Sequence, residues 1–406
     1  MTRGLQGRVS ISWMRMRLAP SIAFALAIVP LVLMTPSAKA QTFTVLHAFT
    51  GGADGGNPYA GVILDAEGNL YGTTGGGGAL GGGTIFRVDT TGQESVLHSF
   101  NREEGITPKA GLIRDASGSL YGTASLAGGP GCAGQGCGTV FKLTSKSKLL
   151  VLHHFTGRPD GQRPHAGLIR DSSGDLYGTT LFGGAGSPGN GTVFKVSKSG
   201  TESVSHVFTG RKDGAEPLAD LLPDGKGNFY GTTSRGGFYG EPCQHIGCGT
   251  VFELDNTGKE TILYNFTGVD GNNPQAGLTQ DAEGNFYGTT ELGGAFNHGA
   301  VFKLTKAGVE TVLYSFTGET DGGTPVAGLL RDITGNLYGT TEQGGDGGGT
   351  IFKLDKAGKE TVLHTFTGTD GYQPVAALIQ DGQGNFYGTT YSGGTDAYGV
   401  VFKMTP

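Results

Sequence analysis

The chain has 406 residues, 78 of them glycine and 16 proline, and a formal net charge of −6. Glycine at about a fifth of the chain, against a usual share near 7 %, excludes a helical protein, because each helical Gly costs about 1 kcal/mol relative to Ala; without a three-residue glycine period, collagen is excluded too. With 22 Phe, 14 Tyr and only 16 % charged residues, the chain can bury a large core, so disorder is excluded and a turn-rich all-β protein remains.

Arg3, Arg8, Arg15 and Arg17 precede an apolar stretch from Leu18 to Met34. Ala38-Lys39-Ala40 then offers small residues at the two positions a signal peptidase reads. Residues 1–40 are therefore read as a signal peptide cleaved after Ala40, and the protein as secreted or periplasmic. An uncleaved anchor helix is the alternative, but the run is short and interrupted by Pro20 and Pro30. No other segment could span a membrane. The segment holds five of the 29 Lys/Arg and none of the 35 Asp/Glu, which leaves 24 basic against 35 acidic residues, a net −11. So acidic a chain has no electrostatic footprint for nucleic acid. The single Trp, Trp13, also lies here.

From residue 41 one unit repeats. Tyr-Gly-Thr starts at Tyr71, Tyr121, Tyr177, Tyr230, Tyr287, Tyr338 and Tyr387, at spacings of 49 to 57 residues. Each unit holds four apolar runs, A to D, in the sixth Val326–Leu330, Asn336–Thr341, Gly349–Leu354 and Glu360–Phe366, rich in the Val, Ile, Thr, Tyr and Phe of β-strands. Asp-x-x-Gly joins A to B in all seven, as in Asp281/Gly284 and Asp332/Gly335, the composition of a tight hairpin turn. Four antiparallel strands per unit of about 50 residues predict a propeller blade. The stretch Phe43–Phe49 is a D strand without A, B or C before it, and Gly399–Met404 is a C strand without D after it. The two fragments complete one blade. Residues 41–406 are thus expected to form a single seven-bladed β-propeller, closed by the N-terminal strand and monomeric.

The units resemble the GloVer tandem repeat of secreted bacterial proteins. The motif runs Asp-x-x-Gly-Asn-[Leu/Phe]-Tyr-Gly-Thr-Thr, then Gly-Gly, Gly-Thr-Val-Phe-Lys-Leu and Glu-Thr-Val-Leu-Tyr-Ser-Phe, and 281–316 match nearly throughout, with Ala300 for Thr. The resemblance covers 42–406. It implies a signal peptide but no known activity and no catalytic residues. Many family members end in a surface-sorting anchor; here the chain stops at Pro406, so release or periplasmic retention is expected.

Three sets of residues are candidates for chemistry. The D-to-A loops carry an acidic residue ahead of Gly-x-x-Pro: Asp54, Glu104, Asp160, Asp213, Asp270, Asp321 and Asp370. The functional reading is an acidic ring near the channel that attracts a cation such as Ca²⁺, which prefers oxygen ligands; the plainer reading, favoured by repetition in every blade, is a turn each blade needs. No other cofactor is expected. After the Pro of that loop, identity varies: Tyr59, Lys109, His165, Leu218, Gln275, Val326 and Val375. These side chains are expected to edge the central opening. Tyr59, Lys109 and His165, from adjacent blades, are the candidate ligand contacts, weighed against an unselected solvent-facing position. The long B–C loops of blades 2 and 4 hold Cys132/Cys137 and Cys243/Cys248. An even count in a secreted chain reads as disulfides, with local pairing favoured; a metal set of Cys243, His245 and Cys248 is the lesser alternative. His47, His98, His153, His206 and His364 share one strand-D position with Tyr264 and Tyr314. Strand D is outermost, so these are read as an amphipathic outer ring and not as a metal cluster.

The expected function is an extracellular binding or interaction module for a glycan, peptide or surface protein. The alternative is a polysaccharide-active hydrolase or lyase using inner-loop carboxylates.

Overall fold

The computed structural model describes residues 41–185 and 189–405; the expected signal peptide lies outside the described residues. The described residues form seven four-stranded sheets, each with its strands hydrogen-bonded in antiparallel order. In blade 6 the strands are A (Leu330–Arg331), B (Leu337–Thr341), C (Thr350–Leu354) and D (Glu360–Thr365). In blade 7 the outermost strand is Thr42–Ala48, paired with Val400–Thr405 so that Phe43 faces Met404. The two ends of the chain therefore share one sheet, which closes the ring of blades.

The expected A strand, Val326–Leu330, is longer than the paired one. Its first residues leave the ladder because their carbonyls serve the neighbouring blade. Ala327 O accepts from Thr289 Oγ1 of blade 5 at 3.0 Å. The same bond recurs around the ring and closes it where Thr389 Oγ1 of blade 7 donates to Ala60 O of blade 1 at 2.9 Å. The Thr of Tyr-Gly-Thr is thus an interblade residue, and the Ala two places after each loop proline is the buried partner it reaches.

The A–B turn follows from its aspartate. In blade 5, Asp281 Oδ1 accepts from the Asn285 N–H at 2.8 Å, and Oδ2 accepts from Asn285 Nδ2 at 2.8 Å and the Tyr287 hydroxyl at 2.9 Å. One carboxylate therefore ties Asp, Asn and Tyr of the repeat motif together, and against the upward push of burial these donors hold it down at about 2.

The core lies between blades. The Phe that ends each D strand meets the strand-C Phe of the next blade, as Phe266 meets Phe302 at 5.0 Å and Phe316 meets Phe352 at 5.1 Å, edge to face and fully buried. The Gly of Tyr-Gly-Thr makes room for that second ring. A Cβ on Gly288 would stand 2.7 Å from Phe302 Cζ, and one on Gly339 2.7 Å from Phe352 Cζ. Strand-interior Gly, normally a weakness, here lets a ring lie flat across the strand.

Candidate functional site

The inner strands of all seven blades line a central opening with a cavity of about 310 Å³. Every one of the variable residues after the loop proline lines it: Tyr59, Lys109, His165, Leu218, Gln275, Val326 and Val375. The preceding loop residue has positive φ in each blade, from Asn57 and Thr107 to Arg163 and Gln373. This left-handed position turns the chain so that the proline can start the descending segment.

Tyr59, Lys109 and His165 come together. Lys109 Nζ stands 4.5 Å above the Tyr59 ring. The Tyr59 hydroxyl is 3.3 Å from that of Tyr391, with the rings 4.6 Å apart. Burial and then the charges of Lys109 and Arg163 push His165 down to about 3, so its imidazole is neutral at physiological pH. Burial, then Arg163, lowers the Lys109 ammonium. Arg163 itself lies over the Phe182 ring at 5.6 Å. One arc of the mouth therefore carries two cations, a neutral imidazole and a tyrosine pair.

The loops of blades 4 to 6 carry carboxylates instead. Glu342 accepts from Gln373 Nε2 at 2.8 Å, Glu216 pairs with Arg235 at 2.8 Å, and Glu291 accepts from Gln275 Nε2 at 2.5 Å and from Asn273. Burial raises the carboxyls of all three. Asp220 stands in the channel itself, open to water yet enclosed by the inner strands. It accepts from the Gly167 N–H, and a Cβ on Gly167 would meet both its carboxylate oxygens at 3.0 Å. The enclosure raises its pKa, with the Gly167 N–H pulling the other way. Asp220 was missed in the sequence reading, although the signal is there: blade 4 has Ala219-Asp220 where five blades have Ala-Gly.

The seven acidic loop residues do not ring the channel, and none lines the opening. Each turns toward strand D. Asp160 accepts from the Thr156 N–H at 3.1 Å and meets His153 Nε2 at 3.1 Å; Glu104 meets His98 at 3.0 Å, and Asp370 meets His364 at 2.9 Å. Asp54 lies 3.4 Å from His47. Asp213 accepts from the Thr209 N–H at 2.9 Å. Asp270 and Asp321 accept from the hydroxyls of Tyr264 and Tyr314 at 2.5 and 2.9 Å. The reason is local: the N–H following strand D and the strand-D aromatic offer donors nearer than the channel. The acidic loops and the strand-D His/Tyr positions, read separately in the sequence, are one outer-wall system.

Cys132–Cys137 and Cys243–Cys248 are disulfide-bonded, so the alternative metal set with His245 has no free thiolates. The bridges sit against the buried Phe155 and Phe266, anchoring both loops in the interblade core.

Fold and site together define a seven-bladed β-propeller with a polar, asymmetric channel mouth. A family model, the Gloeobacter/Verrucomicrobia repeat, matches residues 32–136, 130–346 and 243–406. The chain belongs to the Gloeobacter/Verrucomicrobia repeat family. No curated protein matches it. Among solved structures it is similar to the extracellular domain assigned to hybrid two component system BT3049 from B. thetaiotaomicron, at 13 % identity and TM-score 0.55, covering 90 % of this chain and 41 % of that one. It is also similar to the extracellular domain assigned to one component system BT4673 from the same organism, at 11 % identity and TM-score 0.53, covering 85 % and 38 %. The chain thus spans about two fifths of these two solved chains. At such identities the likeness shows the propeller fold alone. Among the described residues no helix is long and apolar enough to cross a membrane.

Proposed function

We propose that the protein is exported and serves as an extracellular binding module, taking a ligand with an anionic group at the channel mouth. One observation carries this reading: charged and aromatic departures from sevenfold repetition converge there, with Tyr59, Lys109, Arg163 and His165 on one arc and Asp220 below. Lys109 and Arg163 supply charge, neutral His165 can donate or accept, and the tyrosines supply flat apolar faces. The arginine-rich lead, the apolar stretch and two disulfides favour an oxidising, extracytoplasmic setting. The polysaccharide-active alternative loses support, because the loop carboxylates it needed are held at strand D.

The test is a binding screen of acidic oligosaccharides, acidic peptides and neutral glycans. We expect an anionic ligand whose affinity falls with salt and drops about tenfold or more in Lys109→Ala, the scale of one charge-assisted hydrogen bond. A ligand held equally well by Lys109→Ala and Arg163→Ala would refute the site. Turnover of a polysaccharide, lost in Asp220→Asn, would carry the enzyme reading instead.

A further inference from the structure

Seven interblade clefts on the outer wall share three positions: the strand-D aromatic of one blade, the acidic residue of the following loop, and the residue that opens strand D of the next blade. In three clefts these are His, Asp and Glu. In two of those the donor atoms gather within 4.8 Å of one another: His153, Asp160 and Glu202 between blades 2 and 3, and His206, Asp213 and Glu260 between blades 3 and 4.

The second cleft is the better formed. The Glu260 side chain is only 9 % exposed, and its Oε1 has no hydrogen-bond partner. His206 Nε2, 3.8 Å from Glu260 Oε2, has none either. The neutral imidazole protonated at Nδ1 would present the Nε2 lone pair to an ion in the cleft. Asp213 is fixed by the Thr209 N–H and hydroxyl at 2.9 and 2.6 Å, one on each oxygen, so each oxygen retains a lone pair. Three ligand groups thus converge on one cleft, with Glu260 Oε1 and His206 Nε2 unpartnered.

We propose that the cleft between blades 3 and 4 binds a divalent first-row transition ion of the Zn²⁺ type through His206 Nε2, Asp213 and Glu260, and that the cleft between blades 2 and 3 forms a second, weaker site through His153, Asp160 and Glu202. The imidazole selects against Ca²⁺ and Mg²⁺, which take oxygen ligands. Tetrahedral bonds of about 2.1 Å set donors about 3.4 Å apart, so the side chains close by about 1 Å and water takes the fourth position. The second site is weaker because Asp160 already occupies His153 Nε2 at 3.1 Å. The bound ion would staple adjacent blades at their rim.

Of the other clefts, the one with His47, Asp54 and Glu94 has the same residue types without gathering their ligand atoms within 4.8 Å, and four are built-in controls. Tyr264 and Tyr314 replace the imidazole with a hydroxyl that donates to the acid. In two more the Glu position is apolar: Leu149 opens strand D of blade 2, and Phe43 stacks on His364 at 3.8 Å. The fold therefore already accommodates Leu at the Glu position and Tyr at the His position.

The experiment is equilibrium dialysis of the untagged protein, purified from expression of the full chain, against Zn²⁺ or Ca²⁺ near neutral pH, with metal per chain read by mass spectrometry. Wild type is expected to hold two zinc ions and no calcium. Glu260→Leu and, separately, His206→Tyr should each lose one zinc, and Glu202→Leu/Glu260→Leu should lose both. Thermal melts in chelator establish that each variant is folded, and the two single variants check one another. Wild type holding no zinc, or the double variant holding as much as wild type, would overturn the proposal.

Discussion

A methyl group added at Gly288 probes the packing rule on which all seven blades depend. Gly288 lies in strand B of blade 5 (Phe286–Thr290), directly opposite Phe302 of strand C. The new Cβ would stand 2.7 Å from Phe302 Cζ, 2.9 Å from Cε1 and 3.1 Å from Leu278 Cδ2. Carbon atoms pack best at about 3.5–4.0 Å, so the ring must retreat by about 1 Å. Behind it stands the fully buried Phe266, with ring centroids 5.0 Å apart. Overpacking of this kind costs about 1–3 kcal/mol. Gly288 does not have positive φ, so alanine adds no backbone strain and recovers about 0.4–1 kcal/mol by restricting the unfolded chain. The expected net loss for Gly288→Ala is about 1–2 kcal/mol, read from the urea midpoint of the purified protein. Gly382→Ala is the control, because a Cβ there meets nothing within 4 Å and its φ is also not positive. Pairing Gly288→Ala with Phe302→Leu should cost less than the sum of the two, since the smaller side chain vacates the contested space. If Gly288→Ala were as stable as Gly382→Ala, the reasoning would fail.

Phe316→Ala removes a fully buried ring from the interface of blades 5 and 6 and should cost about 3–5 kcal/mol in the same assay; a loss under about 1 kcal/mol would show that the blades do not depend on this wedge. Reduction should lower stability by about 2 kcal/mol per bridge at most, because each of the two disulfides closes a loop of sequence separation 5; mass spectrometry should show two hydrogen atoms gained per bridge. Burial, then Asp270, pushes the Glu310 carboxyl up to about 7. The folded chain therefore keeps a proton that the unfolded chain releases near the ordinary glutamate value of 4.5. The stabilisation is full below that value and lost as pH rises through about 7. Wild type should accordingly lose stability relative to Glu310→Gln over this window, and a difference independent of pH would count against it. Thr389→Val deletes the side-chain bond to Ala60 that closes the ring and should cost about 1 kcal/mol, or more if the carbonyl is left dry.

The repeat was legible because it rests on local chemistry. Asp281, Gly284, Asn285 and Tyr287 lie within a few residues of one another, and their order in the chain already specifies the turn they build. The half-blades at the two ends predicted closure, since Phe43–Phe49 and Gly399–Met404 are complementary pieces of one unit. The variable residues after each proline likewise pointed to the mouth. Strand A read too long because its apolar composition is that of a strand, while the Ala327 carbonyl serves the neighbouring blade. The acidic loops read as a channel ring because their nearest donors, His153 for Asp160 and Tyr264 for Asp270, belong to a strand whose side-chain direction no local pattern states. The sequence by itself thus determined the number of blades, the turns that shape them and the way the ring shuts. Only the tertiary structure decided what meets across the seams: Asp220 with Gly167, and His206 with Glu260. Those partners stand about one repeat apart in the chain, and only the rotation of each blade against the next brings them together.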